Sequence, residues 1–419
     1  MKRRTLAAVP ALALLGTSAP AVAAEPTPIE PPAAEPIAEP IAEPVVAPVA
    51  EPVAGGFESP GVLTGNLPAG YERLLAELTF PLAWGRAPQR DFGAWRRAAR
   101  AKVTELLCQP VDHTPFRPEI VDEQVGDAVI RRSIVFNVTR YSPVRASLLV
   151  PAGPGPFPAA LLLHDHGAKF DIGKEKLIAP LGDETRLASA TAWAAKYFSG
   201  RFVGDELAAR GYVVLAVDSL GWGDRSGLTY DGQQALASNL FNLGSSLAGL
   251  IAAEDVRAAA LLASLPMVDR RRIAAVGFSM GGYRAWQVAA LSDQVAATVS
   301  ACWMTTLAAM MVPGNNTLRG QSAYCMLHPG LYRHLDIPDV ASLAAPRPML
   351  LFDGETDPLF TPAGVQGAYD RMAEVWRSQR AGDRLHTRIW PGLGHIFTSE
   401  MQDAAFAWLD DQLPAPHRP

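Results

Sequence analysis

Cysteine is scarce in this chain: Cys108, Cys302 and Cys325 are the three among 419 residues. They permit at most one disulfide and leave an odd thiol, which excludes a disulfide scaffold. Cys302 adjoins a core-like strand and reads as a buried free residue, while a Cys108–Cys325 pairing stays open. A long hydrophobic run is missing too, because the apolar stretch near the start is too short to span a membrane. Excess charge is the third absence. The chain has 37 basic and 42 acidic residues, net −5. Setting aside Lys2, Arg3 and Arg4 takes the count to −8, and the six glutamates from Glu25 to Glu51 take all but about −2. A near-neutral body carries no electrostatic footprint for nucleic acid.

What is present begins with a leader. Residues 1–24 open on Lys2-Arg3-Arg4, continue through an apolar run and end in Ala21-Val22-Ala23-Ala24. This is the pattern of a secretory signal peptide, cleaved after Ala23 or Ala24, with no cysteine placed for lipid attachment. Residues 25–56 form a Pro/Glu/Ala-rich linker in which blocks such as Glu35-Pro36-Ile37-Ala38 and Glu39-Pro40-Ile41-Ala42 recur. Proline at nearly every fourth position forbids helix and sheet, so an extended, solvated, disordered spacer is expected. The reading is therefore an exported protein, periplasmic or secreted, with cell-envelope association through the linker as an open role.

Residues 57–419 read as one catalytic α/β domain, opened by a helical extension of about 57–125. Within it Tyr71 to Leu107 shows helical spacing through Leu74, Leu75, Leu78, Trp95, Ala98, Ala99, Val103 and Leu106. Strands are expected at 128–137, 145–150, 158–163, 212–217, 273–276, 295–300, 348–352 and 387–390. Fully apolar strands that alternate with helices imply a mostly parallel sheet covered on both faces.

The stretch that organises this body is Ile273-Ala274-Ala275-Val276-Gly277-Phe278-Ser279-Met280-Gly281-Gly282. A short apolar strand runs into G-x-S-x-G, and Tyr283 to Leu291 continues as a helix without proline or glycine. That context makes the motif a nucleophile elbow. Gly277 and Gly281 let the backbone bend sharply and lift the Ser279 hydroxyl clear of the sheet. The helix start behind it offers free N–H groups and a positive dipole end for an oxyanion.

A serine hydroxyl needs a base within hydrogen-bond reach, and histidine titrates in the useful range. His395 sits in Pro391-Gly392-Leu393-Gly394-His395, a turn after the last strand, whereas His386 starts that strand and His417 lies in the tail. The orienting carboxylate belongs after the preceding strand, in Asp353-Gly354-Glu355-Thr356-Asp357-Pro358, where three acids compete. Oxyanion donors are expected at the backbone of Met280, after the nucleophile, and of Ala168, in the loop after the early strand. His164-Asp165-His166 has no third ligand pair that stands out for a metal, and reads as hydrogen-bonded support for that loop. No metal and no cofactor are expected. Three long connections, 168–210, 219–253 and 303–345, form candidate walls and a lid. Phe170, Trp222, Trp303 and Met304 within them are candidate pocket residues, although each is an ordinary core residue type.

The segments HDHG, DSLGWGD, VDRRRIAAVGFSMGG, APRPMLLFDGETDPLF and WPGLGHIF together resemble the α/β-hydrolases of the dienelactone hydrolase and acetyl xylan esterase-like kind, over about 129–413. The resemblance implies the α/β-hydrolase fold with inserted lid-like loops, a serine at Ser279, an acid at Asp357 with Asp353 in reserve, and a histidine at His395. The expected function is an exported serine carboxylic ester hydrolase working through an acyl-enzyme. Acetyl and other short-acyl esters of carbohydrate or small-molecule alcohols are the candidate substrates. Two other readings stand beside it. A peptidase of the prolyl-oligopeptidase type shares elbow and order, but the region before Val129 is too short for its usual propeller. A non-catalytic envelope protein would need a broken triad, and none of the three positions looks broken.

Overall fold

The structure, a computed structural model, describes residues 63–64, 67–68, 70–167, 169–227, 229–313 and 321–414. The leader (1–24), the linker (25–56) and Ala168 lie outside the described residues.

A nine-stranded sheet carries the site. Its strands are β3 (Glu119–Val125), β4 (Val129–Thr139), β5 (Ser142–Pro151), β6 (Phe157–Leu163), β7 (Val213–Val217), β8 (Val268–Phe278), β9 (Ala297–Ala301), β10 (Met349–Gly354) and β11 (Leu385–Trp390). A two-residue pair, β1 (Leu63–Thr64) with β2 (Leu67–Pro68), precedes them. The spatial order is β11-β10-β9-β8-β6-β7-β5-β4-β3. From β11 to β7 every pairing is parallel, and β3, β4 and β5 add an antiparallel flank. This is the α/β-hydrolase architecture, with the loops after the parallel strands gathered along one rim of the sheet.

Successive residues of a strand face opposite sides, so a strand buried on both faces must be apolar throughout. β6 shows this: Leu161 and Leu163 enter one core, Ala160 and Leu162 the other. The first core is closed by α2 (Phe92–Leu106), α6 (Leu247–Ser264), α7 (Met280–Leu291) and α10 (Pro362–Ser378), through Trp95, Ile251, Trp286 and Trp376. The second is closed by α3 (Glu184–Tyr197), α4 (Val203–Ala209) and α11 (Ser399–Gln412), through Trp193, Leu207 and Phe406. The connections on the rim add α5 (Tyr230–Asn242), α8 (Leu307–Met310) and α9 (Ile337–Ala341). No described helix is long and apolar enough to cross a membrane.

Three expectations change. The helical stretch 71–107 is two helices, α1 (Tyr71–Ala76) and α2, separated by turns that hold Pro81 and Pro88 and place Phe80 and Gly85 at positive φ. A proline removes a backbone donor and pushes the residue before it out of the helical region. The extension to residue 125 ends in a strand, β3, which gave no periodic signal because all seven of its residues are exposed. The helix behind the elbow starts at Met280, not Tyr283, so Gly281 and Gly282 belong to its first turn.

Candidate active site

Ser279 lies between β8 and α7 with φ 57 and ψ −128, a conformation that costs energy for a side-chain-bearing residue and persists only when its surroundings impose it. Two contacts impose it. A Cβ on Gly277 would stand 2.1 Å from the carbonyl oxygen of Gly281, and one on Gly281 would stand 1.9 Å from that of Leu163. Only glycine admits both approaches. The Ser279 amide donates to Ala301 O at 2.8 Å, which anchors the turn to the end of β9.

The Ser279 hydroxyl donates to Nε2 of His395 at 2.8 Å, and Nδ1–H of His395 donates to Oδ2 of Asp357 at 2.6 Å. The Asp357 Oδ1 accepts the Leu359 amide at 2.8 Å, and its side chain is fully covered. The tautomer follows from this network: the nitrogen held by the carboxylate carries the proton, which leaves Nε2 as acceptor. Such a chain can take a proton from the hydroxyl and hold the resulting imidazolium against a buried carboxylate. Phe278 and Phe360 flank the imidazole, with ring centroids at 4.9 and 6.5 Å.

The three competing acids have three different partners. Asp357 faces His395, and Glu355 accepts the Gly392 amide at 2.8 Å, closing the Pro391-to-His395 turn. Asp353 is buried in the core and accepts the Tyr369 hydroxyl at 2.6 Å. Burial pushes its carboxyl well above the usual carboxylate range, reinforced by Asp357, although the Tyr369 bond pulls the other way. The Asp and His loops meet through Gly354, where a Cβ would stand 2.3 Å from Gly394 O.

His164 and His166 are both hydrogen-bonded into the rim. Nδ1–H of His164 donates to Asp165 O at 2.9 Å, and its Nε2 accepts the Ser219 amide at 3.0 Å. His166 Nε2–H donates to Gln233 Oε1 of α5 at 3.1 Å. Burial lowers both imidazoles, His166 to about 4. Met280 opens α7, where helix amides have no acceptor inside the helix. Trp222, Trp303 and Met304 are buried, and among the four candidate pocket residues only Phe170 keeps part of its surface. A cavity of about 760 Å³ between the 109–116 segment and α6 is lined by residues such as Leu107, Phe116 and Leu250, not by Ser279 or His395.

The open cysteine pairing is decided, and several buried charged residues emerge that the sequence did not single out. All three cysteines are free, so Cys108 and Cys325 are not paired, and Cys302 stands beside the relay, its thiol donating to Ile396 O at 3.4 Å. Arg284 is fully buried, clasps Asp255 of α6 through two bonds of 2.8 and 2.7 Å, and donates to His164 O at 3.0 Å. Lys174 and Lys176, in Gly173-Lys174-Glu175-Lys176, are both buried. Two described clusters come close enough to share an ion, Cys302/Asp357/His395 and Glu175/Asp218/Asp224. In the second, the Lys174 ammonium already stands among the carboxylates at 2.8, 2.7 and 2.8 Å. Burial works against that charge, but the carboxylates more than offset it and raise the ammonium above its ordinary range.

The parallel sheet, the elbow and the order serine, acid, histidine define an α/β-hydrolase. The chain belongs to the Abhydrolase family, whose profile matches residues 80–376. It is 27% identical over 319 residues to the Bacillus subtilis (strain 168) protein named "Putative hydrolase YtaP", covering 76% of this chain and all of that one. Its fold is similar to that of a "putative acetyl xylan esterase" from Bacteroides fragilis NCTC 9343, with TM-score 0.58 and 19% identity over 77% of this chain and 82% of the other. It is also similar to that of a glucuronoyl esterase from Solibacter usitatus, with TM-score 0.58 and 16% identity over 79% and 96% of the two chains.

Proposed function

We propose that the protein is a serine hydrolase that cleaves carboxylic esters, with acetyl and other short-acyl esters of carbohydrate or small-molecule alcohols as its substrates. The observation that carries this reading is the relay of Ser279, His395 and Asp357, with contacts of 2.8 and 2.6 Å at the end of the parallel strands. The names of the similar structures support the ester class.

In this reading Ser279 Oγ attacks the ester carbonyl carbon and its proton passes to His395 Nε2. The tetrahedral oxyanion is held by the amide of Met280 and a second amide of the 164–168 loop, Ala168 in the sequence reading. His395 gives the proton to the departing alkoxide, releasing the alcohol and leaving the acyl group on Ser279. Water then attacks with His395 as base, and the carboxylic acid leaves.

A panel of nitrophenyl and sugar esters of increasing acyl length tests this. The expected result is turnover of acetyl and other short esters that falls as the acyl chain lengthens, with no cleavage of proline peptide anilides. Absence of turnover across the panel, with a Ser279 inert to a fluorophosphonate, rejects the reading.

The domain division belongs to the same proposal: residues 1–24 direct export, 25–56 serve placement, and catalysis resides in the remainder. The linker lacks aromatic residues and carries only acidic charge, a composition with little apolar surface to bury. A chain that begins near Gly56 is expected to melt at the same temperature and to hydrolyse test esters at the same rate as one that begins at Glu25. A clear fall in either quantity shows that 25–55 packs on the catalytic body.

A further inference from the structure

Lys176 is fully buried, yet it sits beside the loop proposed to supply the second oxyanion donor. Its ammonium donates to Asp165 O at 3.1 Å and His166 O at 3.0 Å, and contacts Asp165 Oδ1 at 3.4 Å. It also stands 4.9 Å from the ring centre of Trp193 and 6.0 Å from that of Trp222. The Trp222 indole N–H donates to the same His166 carbonyl at 2.8 Å, and that of Trp193 donates to Asp165 Oδ2 at 3.1 Å. Taking an ammonium out of water is expensive, and its ion pair with the buried Asp165 carboxylate offsets only part of that cost. A lysine whose donors are turned on two consecutive main-chain carbonyls therefore calls for a role beyond packing.

We propose that Lys176 is a positioning residue of the oxyanion loop, turning the carbonyls of Asp165 and His166 into the core so that the His166 and Gly167 amides are turned toward the oxygen of the carbonyl attacked by Ser279. In a trans peptide the C=O and N–H point in opposite directions. Drawing the Asp165 carbonyl to the ammonium turns the His166 amide away from it, and drawing the His166 carbonyl does the same for the Gly167 amide. Gly167 follows at φ 36, in the left-handed region that favours glycine. The loop starts against the elbow, since Leu163 O lies where a Gly281 Cβ would be and Arg284 of α7 holds His164 O. A cation at the carbonyl end also polarises each peptide and strengthens its N–H as a donor, an effect that is larger in a low-dielectric interior.

The inference rests on the ester-hydrolase reading, and its test separates the two. Lys176→Met keeps the length of the side chain and removes donors and charge. The full chain carrying it is compared with the unaltered protein for melting temperature, kcat, KM and inhibition by a trifluoromethyl ketone, which places an oxyanion on the serine adduct. The expected result is a kcat lower by about 10- to 100-fold, below the loss seen when a direct donor is removed. KM stays within about threefold, and ketone affinity weakens in step with kcat/KM. Trp222→Phe removes the other donor to His166 O, and the same signature at about 3- to 10-fold is expected, which decides the matter if Lys176→Met does not fold. Folded variants with unchanged kcat and ketone affinity, or a loss confined to melting temperature, overturn the role of Lys176. If the unaltered protein neither turns over esters nor reacts with a fluorophosphonate at Ser279, the hydrolase reading fails and the role of Lys176 fails with it.

Discussion

Replacing Ser279 with alanine lowers ester turnover by on the order of 10⁴-fold or more, with little change in melting temperature. Nucleophile and base act as a unit, so removing the hydroxyl forfeits nearly everything the relay contributes, while the oxyanion donors and substrate contacts leave a residue of activity. The fold tolerates the change because the strained turn is imposed by Gly277, Gly281 and the Ser279 amide bond to Ala301, none of which involves the hydroxyl. Alanine at φ 57 meets the same backbone constraint as serine. The measurement is kcat/KM on the best ester of the panel, with a thermal melt of the same preparation. Wild-type turnover by a folded Ser279→Ala protein defeats the assignment of nucleophile.

The second large effect separates the two aspartates. Asp357→Asn preserves size but offers His395 Nδ1 an amide that can be satisfied by the wrong tautomer, so kcat falls by about 10⁴-fold. Asp353→Asn retains activity within about tenfold, because the Asp353 carboxyl lies in the core against Tyr369, away from the His395 imidazole. The two variants also differ in how stability responds to pH. A carboxyl held well above its usual range by burial stays protonated in the folded chain, while in the unfolded chain it ionises near pH 4. From there upward the unfolded state binds fewer protons at this site, so the wild-type protein loses stability as pH rises toward the folded value. Asparagine has no such proton. The melting temperature of Asp353→Asn relative to wild type is therefore expected to improve between pH 4 and pH 8. A crippled Asp353→Asn beside an active Asp357→Asn exchanges the two roles, and a melting difference that is flat with pH removes the buried neutral acid.

How far the chain could be read follows from which interactions are local. The parallel half of the sheet was legible because β6, β7, β8, β9 and β10 are apolar on both faces, and that composition has few other uses. The elbow was legible because glycine, serine and glycine at a strand-to-helix junction is a short-range backbone requirement. β3 was not, since an edge strand exposed on both faces needs no hydrophobic alternation. The break between α1 and α2 was written in Pro81 and Pro88, but the apolar spacing on either side masked it.

The sequence by itself determined the class of architecture, the elbow at Ser279, the candidate His395 and the Asp353-to-Asp357 segment that holds the acid, because each depends on a motif within a few residues of its own strand. Only the tertiary structure decided which of three acids meets the histidine. Asp353, Glu355 and Asp357 are near neighbours in the chain, and what separates them is the distant partner each one finds: Tyr369, Gly392 or His395. It likewise decided that Lys176 and Arg284 are buried beneath the rim that carries the candidate site. A charged side chain in the sequence reads as a solvated one until the carbonyls and carboxylates that offset its desolvation, here Asp165, His166, His164 and Asp255, are brought to it by the fold.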